Sequence, residues 1–197
     1  MQKYINHKNK YKYKPNYHNK CIKQIKHSRY KAGHFTKCSF KDGYIYDCYF
    51  SGVNLKKNSF KNAKISNCVF IHCNFSKSNF RGCTIDSVYF CGCKFTDCKD
   101  IDAIPKTMIL KNTNKFKKSI LLETYVLSNL ADSKYEKNRI LTISSKKINV
   151  WTLGILLNEF SEMELLLFFK QLQNCKQKKF KTVKDYKDSI ENFINKS

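Results

Sequence analysis

Residues 68–97 divide into six blocks of five, CVFIH CNFSK SNFRG CTIDS VYFCG CKFTD, and the third residue of every block is large and apolar. No helix or ordinary strand has this spacing, because their side chains repeat about every 3.6 and every two residues. The full series has thirteen members: Phe35, Phe40, Ile45, Phe50, Leu55, Phe60, Ile65, Phe70, Phe75, Phe80, Ile85, Phe90 and Phe95.

Members of this series that lie twenty residues apart are the most alike, as in Ile45, Ile65 and Ile85. The true repeat is therefore twenty residues long and consists of four blocks. A fixed repeat of this length predicts a solenoid, in which each turn stacks on the previous one and buries a continuous core.

Small residues dominate a second series, two positions before the first: Gly33, Cys38, Gly43, Cys48, Val53, Asn58, Ala63, Cys68, Cys73, Ser78, Cys83, Val88 and Cys93. Large and small side chains that both point inward at four corners per turn would fill a narrow square shaft. Seven of the ten cysteines, counting Cys98, follow this small series. We therefore expect compact core thiols rather than metal ligands or disulfides.

The blocks resemble the pentapeptide-repeat family, whose motif is a small residue, often Asn or Asp, a large apolar residue and two variable positions. Ser78-Asn79-Phe80, Cys73-Asn74-Phe75 and Val53-Asn54-Leu55 match this motif, and the resemblance covers about a third of the chain. It implies a right-handed quadrilateral parallel β-helix, so the expected fold is mainly a β solenoid.

The ends of the solenoid are expected where the register fails. Lys23 would place a charge inside the shaft, so the first turn is expected near Ile25; Asp100 and Pro105 then occupy positions that need large apolar residues. The stack is expected to close around Cys98 after about three and a half coils. This interpretation divides the chain into a basic arm (1–24), a β-helix (25–100) and a helical C-terminal module (101–197).

The C-terminal module shows helical spacing and start signals. Residues 115–130 carry a broad apolar face, and Ser161 with Glu164, like Thr182 with Asp185, has the spacing of a helix cap. We expect three or four helices that cover the open end of the solenoid and bury each other. In the resembling family a C-terminal helical element often mediates dimerisation, which makes a homodimer or protein contact here an expectation. The candidate interface residues are Leu165, Leu166, Phe168 and Phe169.

The chain carries a formal net charge of +23, of which residues 1–32 contribute +10, residues 33–100 +5 and the remainder +8. Such an excess attracts polyanions, whether nucleic acid, an anionic membrane or an acidic protein face. The N-terminus lacks the apolar run of a secretory signal, and the most apolar stretch, 150–169, contains three glutamates. We therefore expect a cytoplasmic protein.

The N-terminal segment alternates lysines with tyrosines and has no period, which favours a disordered arm to about Lys20. Lysines neutralise phosphates and tyrosines stack on exposed bases, so this arm is a candidate nucleic-acid contact. Its candidate residues are Lys8, Lys10, Tyr11, Lys12, Tyr13 and Lys14. The alternative is a solvated tail with no specific role.

The twenty-residue period also aligns cations on the outside of the predicted solenoid. It places Lys37, Lys57 and Lys77 in one column and Lys41, Lys61 and Arg81 in a neighbouring one, with Lys56 beside them. Like charges on adjacent strands repel, whereas a bound anionic chain would turn that cost into attraction. The alternative is a solubilising face that salt screens.

These patterns favour a non-enzymatic scaffold that engages nucleic acid within a larger assembly, with no cofactor, metal or catalytic residue. The sequence has no glycine-rich phosphate loop, and its inward cysteines are poorly placed to meet a substrate. The alternatives are a protein-protein adaptor and a peripheral binder of anionic membranes. Relatives in the resembling family that shield type II topoisomerases are understood to imitate DNA with an acidic surface, and the charge of this chain disfavours that role.

Overall fold

The computed structural model describes residues 14–111, 119–130, 140–144, 147–172 and 180–196. The chain divides into two compact units, residues 1–112 and 113–197. The strands of the first unit are β1 (Asn16–His18), β2 (Gln24–Lys26), β3 (Arg29–Lys31), β4 (His34–Thr36), β5 (Tyr44–Tyr46), β6 (Tyr49–Ser51), β7 (Lys64–Ser66), β8 (Val69–Ile71), β9 (Thr84–Asp86), β10 (Tyr89–Cys91) and β11 (Ile109–Leu110). The second unit contains α1 (Ile120–Leu130), β12 (Thr142–Ser144), β13 (Lys147–Ile148), α2 (Val150–Glu159), α3 (Glu162–Leu172) and α4 (Val183–Ile194).

The first unit is a parallel β solenoid with four faces per coil. The first face holds β1, β4 and the residues above them, Asn54, Asn74 and Lys94, and the second face holds Cys21, Ser39, Ser59, Asn79 and Lys99. The third face is the sheet β2-β5-β7-β9, and the fourth is β3-β6-β8-β10-β11. Every neighbouring pair on these faces is parallel, so each coil repeats the path of the one below.

The predicted twenty-residue register is confirmed in the core. Ile45 pairs with Ile65, and Ile65 with Ile85, on the third face. On the fourth face, the rings of Phe50 and Phe70 stack with centroids 4.7 Å apart. Both phenylalanines are buried. The large series therefore fills the shaft as stacked columns, which bury apolar area and add favourable ring contacts.

The solenoid has about five coils, more than the three and a half that the sequence pattern predicted. The first coil is two residues shorter than the others, because Tyr17 pairs with Phe35, eighteen residues away, whereas Ile25 pairs with Ile45. A strict period of twenty therefore misses this coil. It begins at β1, within the segment that was expected to be a disordered arm.

The shortened second face of the first coil also corrects the expectation for Lys23. Ile22 is fully buried and donates its N–H to Ser39 O at 2.8 Å, so it supplies the inward side chain of this face. Lys23 points away from the shaft, and its Nζ donates to Lys41 O at 2.7 Å. No charge enters the core at this point.

The upper end of the solenoid is covered by residues 101–110. Two short 3-10 helices, Ile101–Ala103 and Lys106–Met108, lead into β11, which pairs with β10. Ile104 is buried between them, and Met108 packs against the core from the same segment. These contacts protect the top layer of apolar side chains and continue the fourth face by one strand.

The second unit confirms the predicted helices and their start signals. Thr182 accepts a hydrogen bond from the backbone N–H of Asp185 and the Asp185 side chain accepts one from Thr182 N, a complete capping box. Ser161 and Glu164 exchange equivalent bonds at the start of α3, with Ser161 N donating to Glu164 Oε2 at 2.7 Å. These caps satisfy backbone N–H groups that a helix leaves unpaired. Packing of α3 against α1 and α4 supplies the core of this unit.

Candidate polyanion-binding face

Three lysines form a column at the corner between the first and second faces. The backbone N–H of Lys37 donates to Lys56 O at 3.1 Å, and that of Lys57 to Ser76 O at 3.0 Å, so successive coils are in register here. Lys37, Lys57 and Lys77 are all exposed. These three residues are called the first ladder below.

A second column of cations stands at the corner between the second and third faces. Asp42 N donates to Lys61 O at 3.0 Å and Asn62 N donates to Arg81 O at 2.9 Å, which fixes Lys41, Lys61 and Arg81 one above the other. Lys41 and Arg81 are exposed and Lys61 is half-buried. Asp42 lies next to this second ladder, with its Oδ2 3.9 Å from Lys41 Nζ. The lowest cation is thus partly neutralised, a contact that the sequence did not reveal.

The two ladders border the second face, whose outward residues are small and polar. Ser39, Ser59 and Asn79 occupy its middle column, and Lys99 continues it upwards. Within one coil the two ladders are four positions apart in sequence, so their backbones lie at most about 14 Å apart. Each ladder rises about 10 Å over its three coils. Sequence reasoning missed Lys99, although counting twenty residues from Asn79 leads to it.

The first ladder occupies a strained backbone position. Lys37, Lys57 and Lys77 have φ values of 53°, 58° and 63°, in the left-handed region. Lysine rarely adopts this conformation, whereas glycine, asparagine and aspartate tolerate it more readily. Left-handed backbone recurs at the other corners, for example at Ala32, His72 and Ser87, and the column beside the second ladder uses residues that tolerate it: Asp42, Asn62 and Gly82.

The other cations predicted for this surface occupy different positions. Lys56 is exposed and directly precedes Lys57, so it extends the first ladder sideways. Lys14 is exposed just before the first strand of the solenoid. The remaining candidates of the arm, Lys8, Lys10, Tyr11, Lys12 and Tyr13, lie outside the described residues.

The candidate interface residues of α3 mostly face the interior of the helical unit. Leu165, Phe168 and Phe169 are buried, and Leu166 is half-buried. The Phe168 ring meets the ring of Phe193 on α4 at 6.0 Å. These side chains are therefore occupied within the chain. The exposed apolar residues of α3 are Met163 and Leu167, which the sequence interpretation did not select.

The fourth face offers little to a charged partner. Its outward side chains Tyr49, Val69, Ile71 and Cys91 are buried as well as apolar. An anionic chain needs exposed cations, and the described strands of this face supply them only at the lowest strand, β3, through half-buried Arg29 and exposed Lys31. The first three faces remain as candidate binding surfaces of the solenoid.

The inward thiols are poorly suited to catalysis. Cys68 stacks on Cys48, and burial is the main cause that raises the pKa of the Cys68 thiol well above its ordinary value. Burial likewise raises the pKa of Cys73, which stacks with Cys93. Because the thiolate is the reactive form, these groups are weak nucleophiles.

Two further features are absent from the described part of the chain. Within it, no cluster of three or more His, Cys, Asp and Glu side chains has an arrangement that could hold a metal ion. Among the described helices, none combines the length and apolar character that a membrane crossing requires.

One of the comparisons with known proteins, the family match, agrees with the repeat geometry. Residues 60–99 match the family of pentapeptide repeats, described as nine copies. Among solved structures, the chain is similar to QnrB1 treated with trypsin, a plasmid-mediated fluoroquinolone resistance protein, at 10% identity and a TM-score of 0.14. That match covers 49% of this chain and 74% of the other. No curated protein matches the chain. The five-residue blocks, the four-sided coils and the match over residues 60–99 agree that the solenoid is built from pentapeptide repeats.

Proposed function

We propose that this protein is a non-catalytic scaffold of the cytoplasm that binds nucleic acid along the second face of its solenoid. The two ladders would contact phosphates, and the small polar residues between them would allow the backbone of the nucleic acid to approach closely. Contacts of this kind contribute affinity and position the nucleic acid, and they carry no sequence information.

The observation that supports this proposal is the position of the first ladder. Its lysines stand about 4.8 Å apart, one coil spacing, so their like charges repel. Each lysine also adopts a backbone conformation that costs about 1–2 kcal/mol for an ordinary side chain. The backbone conformation recurs at the other corners of the coils, so the stacking of the three charges is the feature that points to a ligand. A purely solubilising role does not require lysines to stand one above the other, and a bound polyanion would offset their repulsion.

The proposal is tested by the salt dependence of binding to a fluorescent single-stranded oligonucleotide. Removing the charges of Lys37, Lys57 and Lys77 by substitution with Gln should weaken binding. It should also lower the slope of log K against log salt by about 2, because each phosphate contact on a single strand contributes about 0.7. The matched control replaces Lys26, Lys31 and Lys106 with Gln. These three lie off the second face, so the slope should stay near that of the native protein.

If both triple variants lower the affinity and the salt slope equally, the lysines act only through the net charge of the protein, and the proposal is overturned. Two other outcomes would also replace it. Sedimentation with anionic but not neutral vesicles, without oligonucleotide binding, would assign the ladders to a membrane surface. Retention of a protein partner after nuclease treatment and at high salt, if it is lost when Lys37, Lys57 and Lys77 are replaced, would assign the ladders to protein contact.

A protein contact has independent support in the second unit. Met163 and Leu167 lie one turn apart on α3, and 64% and 49% of their respective surfaces are exposed. Two neighbouring apolar side chains on one helix face are suited to an apolar partner. The adaptor role and nucleic-acid binding therefore use different units of the chain and are compatible.

A further inference from the structure

A pocket of about 270 Å³ opens on the third face of the solenoid. It lies over β7, with β5 below and β9 above. Its lining residues are Tyr44, Tyr46, Lys64, Ile65, Ser66, Thr84 and Asp86. Sites for drug-sized ligands usually measure about 300–1,000 Å³, so this pocket suits a smaller group.

The lower wall of the pocket is aromatic. Tyr44 is 48% exposed, although the large side chains of the solenoid are otherwise mostly buried. Lys64 Nζ lies 5.8 Å from the centre of the Tyr44 ring, a cation–π distance. On the same strand, Tyr46 meets the His27 ring edge-on at 5.4 Å, and His27 Nδ1 lies 3.1 Å from Asp47 Oδ2. Tyr46 is therefore held in place from below, while Lys64 lies over Tyr44 from the strand above.

The upper wall of the pocket consists of short polar side chains. Thr84 and Asp86 project from β9, and Ser66 is the small residue between Tyr46 and Asp86 on the middle strand. The Ser87 hydroxyl donates to Asp86 Oδ1 at 3.1 Å, which orients that carboxylate. Because β5 and β9 are two strand spacings apart, about 9.6 Å, a flat ring can stand over Ser66 between Tyr46 and Asp86. Lys64, in contrast, occupies the space between Tyr44 and Thr84.

The second ladder borders this pocket. Lys41 precedes Tyr44 by three residues, and Lys61 and Arg81 precede Lys64 and Thr84 by the same interval. Three residues span at most about 10 Å, so the second ladder stands at the adjacent corner, within that backbone distance of the pocket. A ligand that joins a flat ring to a negative group would satisfy both features, and a nucleotide is such a ligand.

We infer that the third-face pocket binds one base of a single-stranded nucleic acid, whose phosphates lie on the second ladder. This inference rests on the proposed function and specifies its ligand. Only an unpaired base can leave its own stack and lie against an aromatic side chain. Duplex DNA would contact the ladders alone.

The upper wall also defines which base binds. A carboxylate accepts hydrogen bonds from exocyclic amino groups, as in the contact of Asp or Glu with N4 of cytosine. Asp86 therefore favours cytosine over thymine, which has no amino group. The hydroxyls of Ser66 and Thr84 can hydrogen-bond to either base, so they do not distinguish cytosine from thymine.

The first test compares three single-stranded dodecamers of equal charge: oligo-dC, oligo-dT and an abasic strand. The native protein should bind oligo-dC about tenfold more tightly than the abasic strand, because the stacking of one base contributes an effect of this size. It should prefer oligo-dC to oligo-dT, and Asp86→Asn should reduce that preference. Equal affinity for all three strands would overturn the inference without the use of any variant.

The second test removes the aromatic wall. Tyr46→Ala should lower affinity for oligo-dC about tenfold and leave the abasic strand unchanged, whereas Tyr46→Phe should keep native affinity because the ring remains. Unchanged oligo-dC binding in Tyr46→Ala, together with weaker binding after substitution of the first ladder, would refute the base site and leave the proposed function intact. If the first-ladder substitutions also have no effect, the proposed function fails as well.

Discussion

The side-chain amide of Asn58 accepts a 2.8 Å hydrogen bond from the backbone N–H of Cys38, one coil below. Its Nδ2 donates to Phe35 O at 2.7 Å. Asn58 therefore bridges a corner of the lower coil from inside the shaft. Ser78 repeats the device one coil higher, since its hydroxyl donates to Leu55 O at 2.9 Å and accepts from Asn58 N at 3.1 Å.

Replacing Asn58 with Ala should lower the free energy of unfolding by about 3 kcal/mol. The substitution leaves the N–H of Cys38 and the carbonyl of Phe35 buried without these partners, and each unsatisfied group costs about 1–3 kcal/mol. Urea unfolding followed by circular dichroism measures the change. Ser78→Ala is the matched comparison and should cost less, because a hydroxyl leaves a smaller cavity than an amide. A loss of stability below 1 kcal/mol for Asn58→Ala would mean that the backbone forms this corner without the side chain of Asn58.

Gly82 and Asn62 make a second close contact between coils. Gly82 has a φ of +65°, and a Cβ placed on it would lie 2.4 Å from Asn62 Oδ1. Gly82→Ala should therefore cost about 1–2 kcal/mol of backbone strain, and a smaller further amount because the Asn62 amide must turn away from its hydrogen bond with Asp42 Oδ1. Gly52→Ala is the control, because Gly52 has a φ of +62° and open space around its Cβ position. Equal losses in the two variants would show that Asn62 moves away freely.

The repeat pattern predicted the core well, because the identity of inward residues is constrained by the volume of the shaft. It failed at the first coil, where Tyr17 and Ile22 follow a spacing shortened by two residues. A shorter face leaves the inward positions filled and changes only the spacing. A fixed period cannot detect such a change. Both residues are apolar, so a search that allowed gaps would have found them.

The repeat register predicted where the residues of the candidate site lie, and the other properties of these residues were not predictable from it. Counting by twenty placed Lys37, Lys57 and Lys77 in one column, but the sequence did not indicate their left-handed backbone. Tyr44 and Tyr46 were overlooked as outward residues, although they flank inward Ile45 on both sides. The alternation of a strand was the available signal.

The strain in the first ladder predicts a stabilising substitution. Lys57→Asn should raise the free energy of unfolding by about 0.5–1 kcal/mol, because asparagine tolerates positive φ better than lysine and the charge repulsion falls. The control is Lys56→Asn, which removes an equal charge from a residue without positive φ. At high salt the benefit of Lys56→Asn should disappear, whereas most of that of Lys57→Asn should persist. If the stability gain of Lys57→Asn also disappears at high salt, relief of backbone strain contributes nothing to it.

Cys83 links stability to alkaline pH. Desolvation by burial raises the pKa of its thiol from 9.0 to about 12. A thiol whose folded pKa is raised contributes stability that is fully present below about pH 9 and is lost as the pH rises towards 12. Ala63 occupies the equivalent position one coil below, so alanine fits this column.

Cys83→Ala should therefore cost about 1 kcal/mol at pH 8, because the sulfur fills space in the core. The cost of the substitution should fall by about 1.4 kcal/mol between pH 8 and pH 10 and so change sign, with the variant about 0.4 kcal/mol more stable at pH 10, since the unfolded native chain ionises this thiol and the variant has none to ionise. Urea unfolding of both proteins at several pH values measures the difference, in which the titration of every other group cancels. A cost that stays constant up to pH 10 would show that the folded thiol ionises as readily as the unfolded one, and that Cys83 is open to water.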